Sequence, residues 1–198
     1  MAETFLHVGC GAQTKQSLKG FNSDHWREIR FDINPDVNPD FIGSITDMSA
    51  VKSSTVNSVY SSHNIEHLFA HEVPVALSEF YRVLTPDGFA VITCPDAASV
   101  CQAVANGKFL EPLYESPAGP ISAIDILWGH RAAIASGNDF MAHKCGFTIE
   151  ALKSLLFEAG FKKILGGVRP DAFDIWVIAM KSDISGSEVQ NLGKIFLP

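Results

Sequence analysis

Residues 4–12, TFLHVGCGA, most limit the folds open to this chain: a short apolar β-run breaks into Gly9-Cys10-Gly11. A strand ending in closely spaced glycines brings bare backbone N–H groups against a ligand, because Gly adopts φ > 0 and has no side chain in the way. The longer G-x-G-x-x-G pattern is not completed, since Thr14 stands at its last position. A plain strand-to-helix turn therefore competes for the same residues, and the downstream pattern has to separate the two.

Residues 13–20 are polar and allow only a short helix or a loop. Residues 26–32 (WREIRFD) read as a second strand, which Asn34 and Pro35 stop. Asp32 lies 23 residues past Gly9, near the offset at which dinucleotide-binding sheets place the carboxylate that accepts ribose hydroxyls; a turn or cap aspartate is the alternative. Residues 41–45 form a short third strand before Thr46-Asp47-Met48, so Asp47 also falls at the rim where open parallel sheets bind ligands. A fourth strand, 56–61, empties into Ser62-His63-Asn64-Ile65-Glu66-His67. Across 71–84 the apolar residues Val73, Leu77, Phe80, Tyr81 and Leu84 recur at helical spacing. Turn chemistry at 85–88 ends that helix, and the continuous apolar run 89–94 (FAVITC) predicts a strand covered on both faces.

Residues 99–146 break the rhythm with prolines and glycines yet keep many large apolar residues, which predicts a long functional loop packed on the domain, a lid. Helical periodicity returns at 148–159 with Thr148 as N-cap and Gly160 as stop. Two strands, 162–168 and 173–180, follow, and then a polar tail, 182–198, expected to be loosely held. A chain of 198 residues suits one domain, 1–181, plus this tail. The net charge of −7 without a Lys/Arg cluster argues against a nucleic-acid groove and for a compact or neutral substrate. No apolar run reaches the roughly 18–20 residues that span a bilayer, and the N-terminus has no basic-then-apolar signal pattern, so a cytoplasmic location without membrane contact is expected. Cys10, Cys94, Cys101 and Cys145, lacking any C-x-x-C pair, read as reduced, buried thiols.

Together these segments resemble the class I S-adenosylmethionine-dependent methyltransferases: HVGCGA matches the glycine motif, FDIN the acid ending strand two, TDM the acid-apolar pair after strand three. SVYSSHNIEHL, EFYRVLTPDGFAVITCPD and CGFTIEALKSLLFEAGF are similar to the later segments, so the likeness covers about 4–98 and 145–181. It implies an α/β fold, Rossmann-like and doubly wound, with a mostly parallel seven-stranded sheet, an antiparallel last strand and a lid insertion at 99–146. It also implies S-adenosylmethionine as cofactor, with Gly9, Cys10 and Gly11 against its methionine part and Asp32 on the ribose hydroxyls. Ile33 would flank adenine, Asp47 take its amine, and the Met48 N–H reach a ring nitrogen; Ser62 and His63 would close the pocket near the sulfonium. The adenosyl reading asks both aspartates to face one cavity. His7 stands where the family usually has an acid that helps hold the cofactor's amino group, and Gln13 where it often has a third glycine.

Methyl transfer needs positioning, and a general base only for a hydroxyl or protonated-amine acceptor. His63, His130 and His143 are the candidate bases, with Arg131 as an anchor for an anionic acceptor group; Lys144, His25 and His71 read as surface residues. The expected acceptor is a small molecule, and no metal is required. Two other functions compete. His63-x-x-Glu66-His67 spells the inverted zincin pattern of a zinc metallohydrolase, which needs both histidines on one continuous helix; a protein that binds S-adenosylmethionine without turnover is the other. Oligomeric state is left open.

Overall fold

The computed structural model describes residues 2–198. Five strands, β1 (Glu3–Val8), β2 (Trp26–Asp32), β3 (Phe41–Ile42), β4 (Val56–Ser62) and β5 (Leu84–Pro95), pair in parallel. A separate hairpin is made of β6 (Pro112–Ser116) and β7 (Gly119–Ser122). The sheet is completed by β8 (Lys163–Arg169) and β9 (Asp174–Met180), giving the order β3-β2-β1-β4-β5-β9-β8 with β9 antiparallel to both neighbours. This is the expected mostly parallel, seven-stranded α/β sheet. Central β1 pairs with β2 on one side (Leu6 opposite Ile29) and β4 on the other (Leu6 opposite Val59), so its Phe5, Leu6 and Val8 are wholly buried.

Two helices cover one face. α1 (Val73–Val83) turns Val73, Ala76, Leu77, Phe80 and Val83 inward, and Pro74 sits in its first turn, where no N–H is missed. After the lid helices comes a helix at Ile149–Glu158, whose N-cap Thr148 accepts the Ala151 N–H at 3.3 Å and whose stop, Gly160, has φ +107°. Its Leu152 and Leu156 meet Phe80, Phe161 and Ile175 in the larger core.

The opposite face is aromatic. Residues 13–25 hold only a 3₁₀ turn at Lys15–Ser17, so no long helix covers the sheet there. Phe21 instead stacks on Phe5, with ring centroids 4.3 Å apart. The tail, expected to be loose, supplies the missing cover. Gly186–Phe196 is a helix opened by a Ser185–Glu188 capping box, and its Phe196 packs 4.8 Å from Phe21 and 4.9 Å from Phe89. Its apolar residues are widely spaced among serines and glycines, which is why composition suggested a loosely held tail up to Ile195-Phe196-Leu197.

Residues 99–146, expected as a long loop, instead carry several short elements, the first beginning at Ala97. In chain order they form α2 (Ala97–Ala105), the β6–β7 hairpin, α3 (Ala123–Trp128), α4 (Arg131–Ala135) and a 3₁₀ turn at Asp139–Met141. The helix at Ile149–Glu158 is thus α5, and that at Gly186–Phe196 is α6. Val100, Ile121, Ala123 and Ile126 give the insertion its own small core. It enters and leaves at one place, where the Ala97 N–H donates to the Phe147 carbonyl at 2.8 Å. All four cysteines are free; Cys10 and Cys94 are buried and Cys145 partly so, whereas Cys101 on α2 is exposed, against expectation.

Candidate functional site

A cavity of about 370 Å³ lies at the carboxyl ends of β1, β2 and β4, where a parallel sheet leaves room between diverging connections. The size is ordinary for a small-molecule site. Gly9, Gly11, Asp32, Ile33 and His63, all singled out from sequence, line it together.

The glycine bend works differently from the sequence expectation. Its N–H groups are not bare: Gly9 donates to the Phe31 carbonyl at 2.9 Å, and Gly11 to Asp32 Oδ2 at 2.8 Å. What it offers is space. Gly9 has φ +61° and a Cβ there would meet the Asn64 side chain at 2.5 Å; Gly11 has φ +50° and a Cβ would meet nothing within 4 Å. Asp32, buried, also accepts the Asn34 N–H on Oδ1 at 2.9 Å, which fixes the carboxylate at the cavity wall with lone pairs to spare.

His63 directly follows β4, with φ +47° and an exposed ring, its Nδ1 3.3 Å from Glu66 Oε1. Desolvation works to lower its pKa, but the Glu66 carboxylate outweighs this and raises it. Its neighbour Asn64 lines the cavity against Gly9, and Asn64 Nδ2 is a buried donor without a partner among the described residues. That orphaned donor, the open face of Gly11 and the fixed Asp32 carboxylate fit a ligand that brings both an anionic group and hydroxyls. Sequence reasoning missed Asn64, Val37, Ser44, Ile45, Leu68, Glu72, Phe140, Met141 and Lys144 as lining residues. Asn64 lay inside the quoted SVYSSHNIEHL segment; the lid residues carry no pattern that marks them. Lys144, read as a surface residue, is at the wall.

Other candidates lie elsewhere. Asp47 is exposed and lines a different, open groove with Arg82, so the two aspartates do not share a cavity. The Met48 N–H donates to Glu79 Oε2 at 2.7 Å, and Arg82 holds both Glu79 and the Met48 carbonyl. The cause is local: β3 stops at Ile42, and the chain turns at Ser44-Ile45, which reach the cavity two to three residues before Asp47. His7 is buried, with Nδ1 2.7 Å from Glu28 Oε1, and burial lowers its pKa. Cys10 is buried, its thiol pushed up to about 11 by desolvation, and it, His7 and Ser62 do not line the cavity.

In the lid, Arg131 is committed to Asp125 (Nε–Oδ1 2.7 Å) and Ser122, and is not free to anchor an acceptor. His130 caps α4 away from the cavity. His143 does not line it either, but its ring stands 4.8 Å from that of His67, T-shaped, with burial lowering its pKa. The zincin arrangement of His63 and His67 is absent: His63 is in the left-handed region, and only Ile65–His67 form a 3₁₀ turn, not a continuous helix.

Comparison with known proteins agrees with this frame. Residues 6–92 match the family model described as a methyltransferase domain. No curated protein sequence matches significantly. Among solved structures, a possible exported protein from Bordetella parapertussis is 14% identical with a TM-score of 0.60, covering 92% of this chain, which spans 63% of that protein's length. An S-adenosylmethionine-dependent methyltransferase from Archaeoglobus fulgidus is 17% identical, TM-score 0.56, covering 91% of this chain and 86% of its own. The Burkholderia thailandensis 1,6-didemethyltoxoflavin-N1-methyltransferase, with 1,6-didemethyltoxoflavin and S-adenosylhomocysteine bound, is 15% identical, TM-score 0.54, covering 92% and 72%. At such identities the likeness is one of fold. Residues 6–92 are thus similar to a methyltransferase domain, and the strand order and the glycine bend facing Asp32 agree with that likeness.

Proposed function

We propose that the chain transfers a methyl group from S-adenosylmethionine to a small-molecule acceptor by in-line displacement. The observation that carries this is the joint placement of Gly9, Gly11, Asp32 and Asn64 around one cavity at the strand ends. Bound there, S-adenosylmethionine supplies an already activated methyl group, so the protein's part is to orient and to exclude water. Asp32 accepts the ribose hydroxyls, and the unpartnered Asn64 Nδ2 donates to the methionine carboxylate. Ile33, Val37 and Ile45 flank the adenine, and Ser44 replaces Asp47 as its polar neighbour. Phe140 and Met141 bring the lid over the cavity and select the acceptor. His63 is the base candidate at the wall, while His130 and Arg131 drop out. The acidic chain and a cavity of this size favour a small acceptor over nucleic acid.

Calorimetry with S-adenosylhomocysteine tests the reading. The wild-type chain binds one equivalent, and Asp32→Ala weakens binding roughly 10- to 150-fold, the loss of charge-assisted hydrogen bonds worth about 1.5–3 kcal/mol. Equal affinity in a folded Asp32→Ala protein overturns it.

A further inference from the structure

Glu66 is completely enclosed; His63 Nδ1 approaches Oε1 at 3.3 Å from the exposed side, but neither carboxylate oxygen has a well-aligned hydrogen-bond donor among the described residues. A buried carboxylate left in this condition costs several kcal/mol unless a positive partner compensates it. Around it stand two imidazoles with one nitrogen each already engaged. His67 Nδ1 lies 3.1 Å from the Ala142 carbonyl, and His143 Nδ1 2.8 Å from the Ile126 carbonyl. A nitrogen facing a carbonyl must carry the proton, so Nε2 of each neutral ring keeps its lone pair. This is the arrangement in which an imidazole serves a metal ion while a carbonyl fixes its tautomer and orientation. Ligand atoms of Glu66, His67 and His143 all lie within 4.8 Å of one another.

We propose that Glu66, His67 and His143 form a binding site for one divalent transition-metal ion of the zinc type, set between the cofactor cavity and the lid. Two imidazoles and a carboxylate are a donor set that suits zinc and its neighbours better than magnesium or calcium, which prefer oxygen throughout. Tetrahedral ligands about 2.0–2.1 Å from zinc stand about 3.4 Å apart, so binding draws the three side chains inward. The backbone is already strapped for this. The N–H groups of Lys144 and Cys145 both donate to the Glu66 carbonyl, at 2.9 and 3.3 Å, and the His143 N–H donates to Trp128. His67 lines the larger cavity, while Glu66 and His143 line a separate pocket of about 20 Å³, room for about one water. Three protein ligands leave a tetrahedral ion one position for water or for an acceptor oxygen. The second histidine thus comes from residue 143, distant in sequence, and not from His63 as the H-x-x-E-H spelling suggests.

The inference does not depend on the methyltransferase reading, and its test is kept separate. Full-length protein stripped with a chelator is titrated with Zn²⁺ by calorimetry and with Co²⁺ by visible absorption. One equivalent of Zn²⁺ and tetrahedral-type Co²⁺ bands are expected. Glu66→Gln and His143→Ala, each checked by circular dichroism, lose about tenfold or more in Zn²⁺ affinity, while His130→Ala keeps it. Should either variant unfold, His67→Gln, which retains a donor for the Ala142 carbonyl, gives the same loss. Absence of stoichiometric Zn²⁺ uptake by the wild-type chain overturns the site, as does undiminished affinity in the folded variants. S-adenosylhomocysteine binding by the stripped protein reports on the methyltransferase reading alone.

Discussion

Gly9 has little freedom to change. At φ +61° a side chain costs about 1–2 kcal/mol, and the added Cβ must push Asn64 aside, so Gly9→Ala should lower both thermal stability and S-adenosylhomocysteine affinity. Gly11→Ala, at φ +50°, carries the same backbone cost but meets no atom, and its Cβ would enter open space at the wall of the cavity; it should lower stability less than Gly9→Ala while still reducing affinity. A melting curve and a titration on each variant separate the two effects. Asp125 gives a pH dependence. Burial works to raise its pKa, but bonds from Arg131 and Ser122 hold it well below the usual carboxylate value. A depressed folded pKa adds stability above the unfolded value, near 3.8, and loses it as pH falls through the folded one. Lid amides should therefore exchange faster as pH drops below about 4 than intrinsic rates predict, and Asp125→Asn should flatten that dependence while lowering lid protection at neutral pH. Asp32 and Ile33 at the cavity wall were legible from sequence because they lie at the end of a seven-residue strand; Ser44 and Ile45 were not, since β3 is two residues long and its end fell at Ile42 instead of Ile45.

Among the elements, α1 contributes most by its buried face. Phe80→Ala should cost about 3–5 kcal/mol and Leu77→Ala about 2–5, read by urea unfolding, because both side chains are fully enclosed. Its Glu79 and Arg82 have another task, tying down the turn at Met48 and Val51. Periodicity revealed this helix and α5, since both present one strongly apolar face. It did not reveal α6, whose buried residues Val189 and Phe196 are seven positions apart with Gly193 between them. Phe196→Ala should expose the aromatic face at Phe21 and Trp26, costing about 3–5 kcal/mol in the same measurement. The lid helices escaped for another reason: α3 and α4 have six and five residues, too short for a period to show.

Across the whole molecule, strand order and the glycine-to-aspartate geometry were readable because they follow from local patterns repeated along the chain. The triad of Glu66, His67 and His143 was not, because His143 reaches it only through the folded insertion. That insertion has one further property. Its first and last residues meet side by side at Ala97 and Phe147, where a parallel backbone bridge that includes the Ala97 N–H to Phe147 carbonyl bond joins them. The segment between them is therefore an exchangeable cassette: a sequence of different length with the same two ends could be grafted at that seam. The sheet would be inherited, while the part of the cavity wall that Asn138, Phe140, Met141 and Lys144 supply would change with the graft.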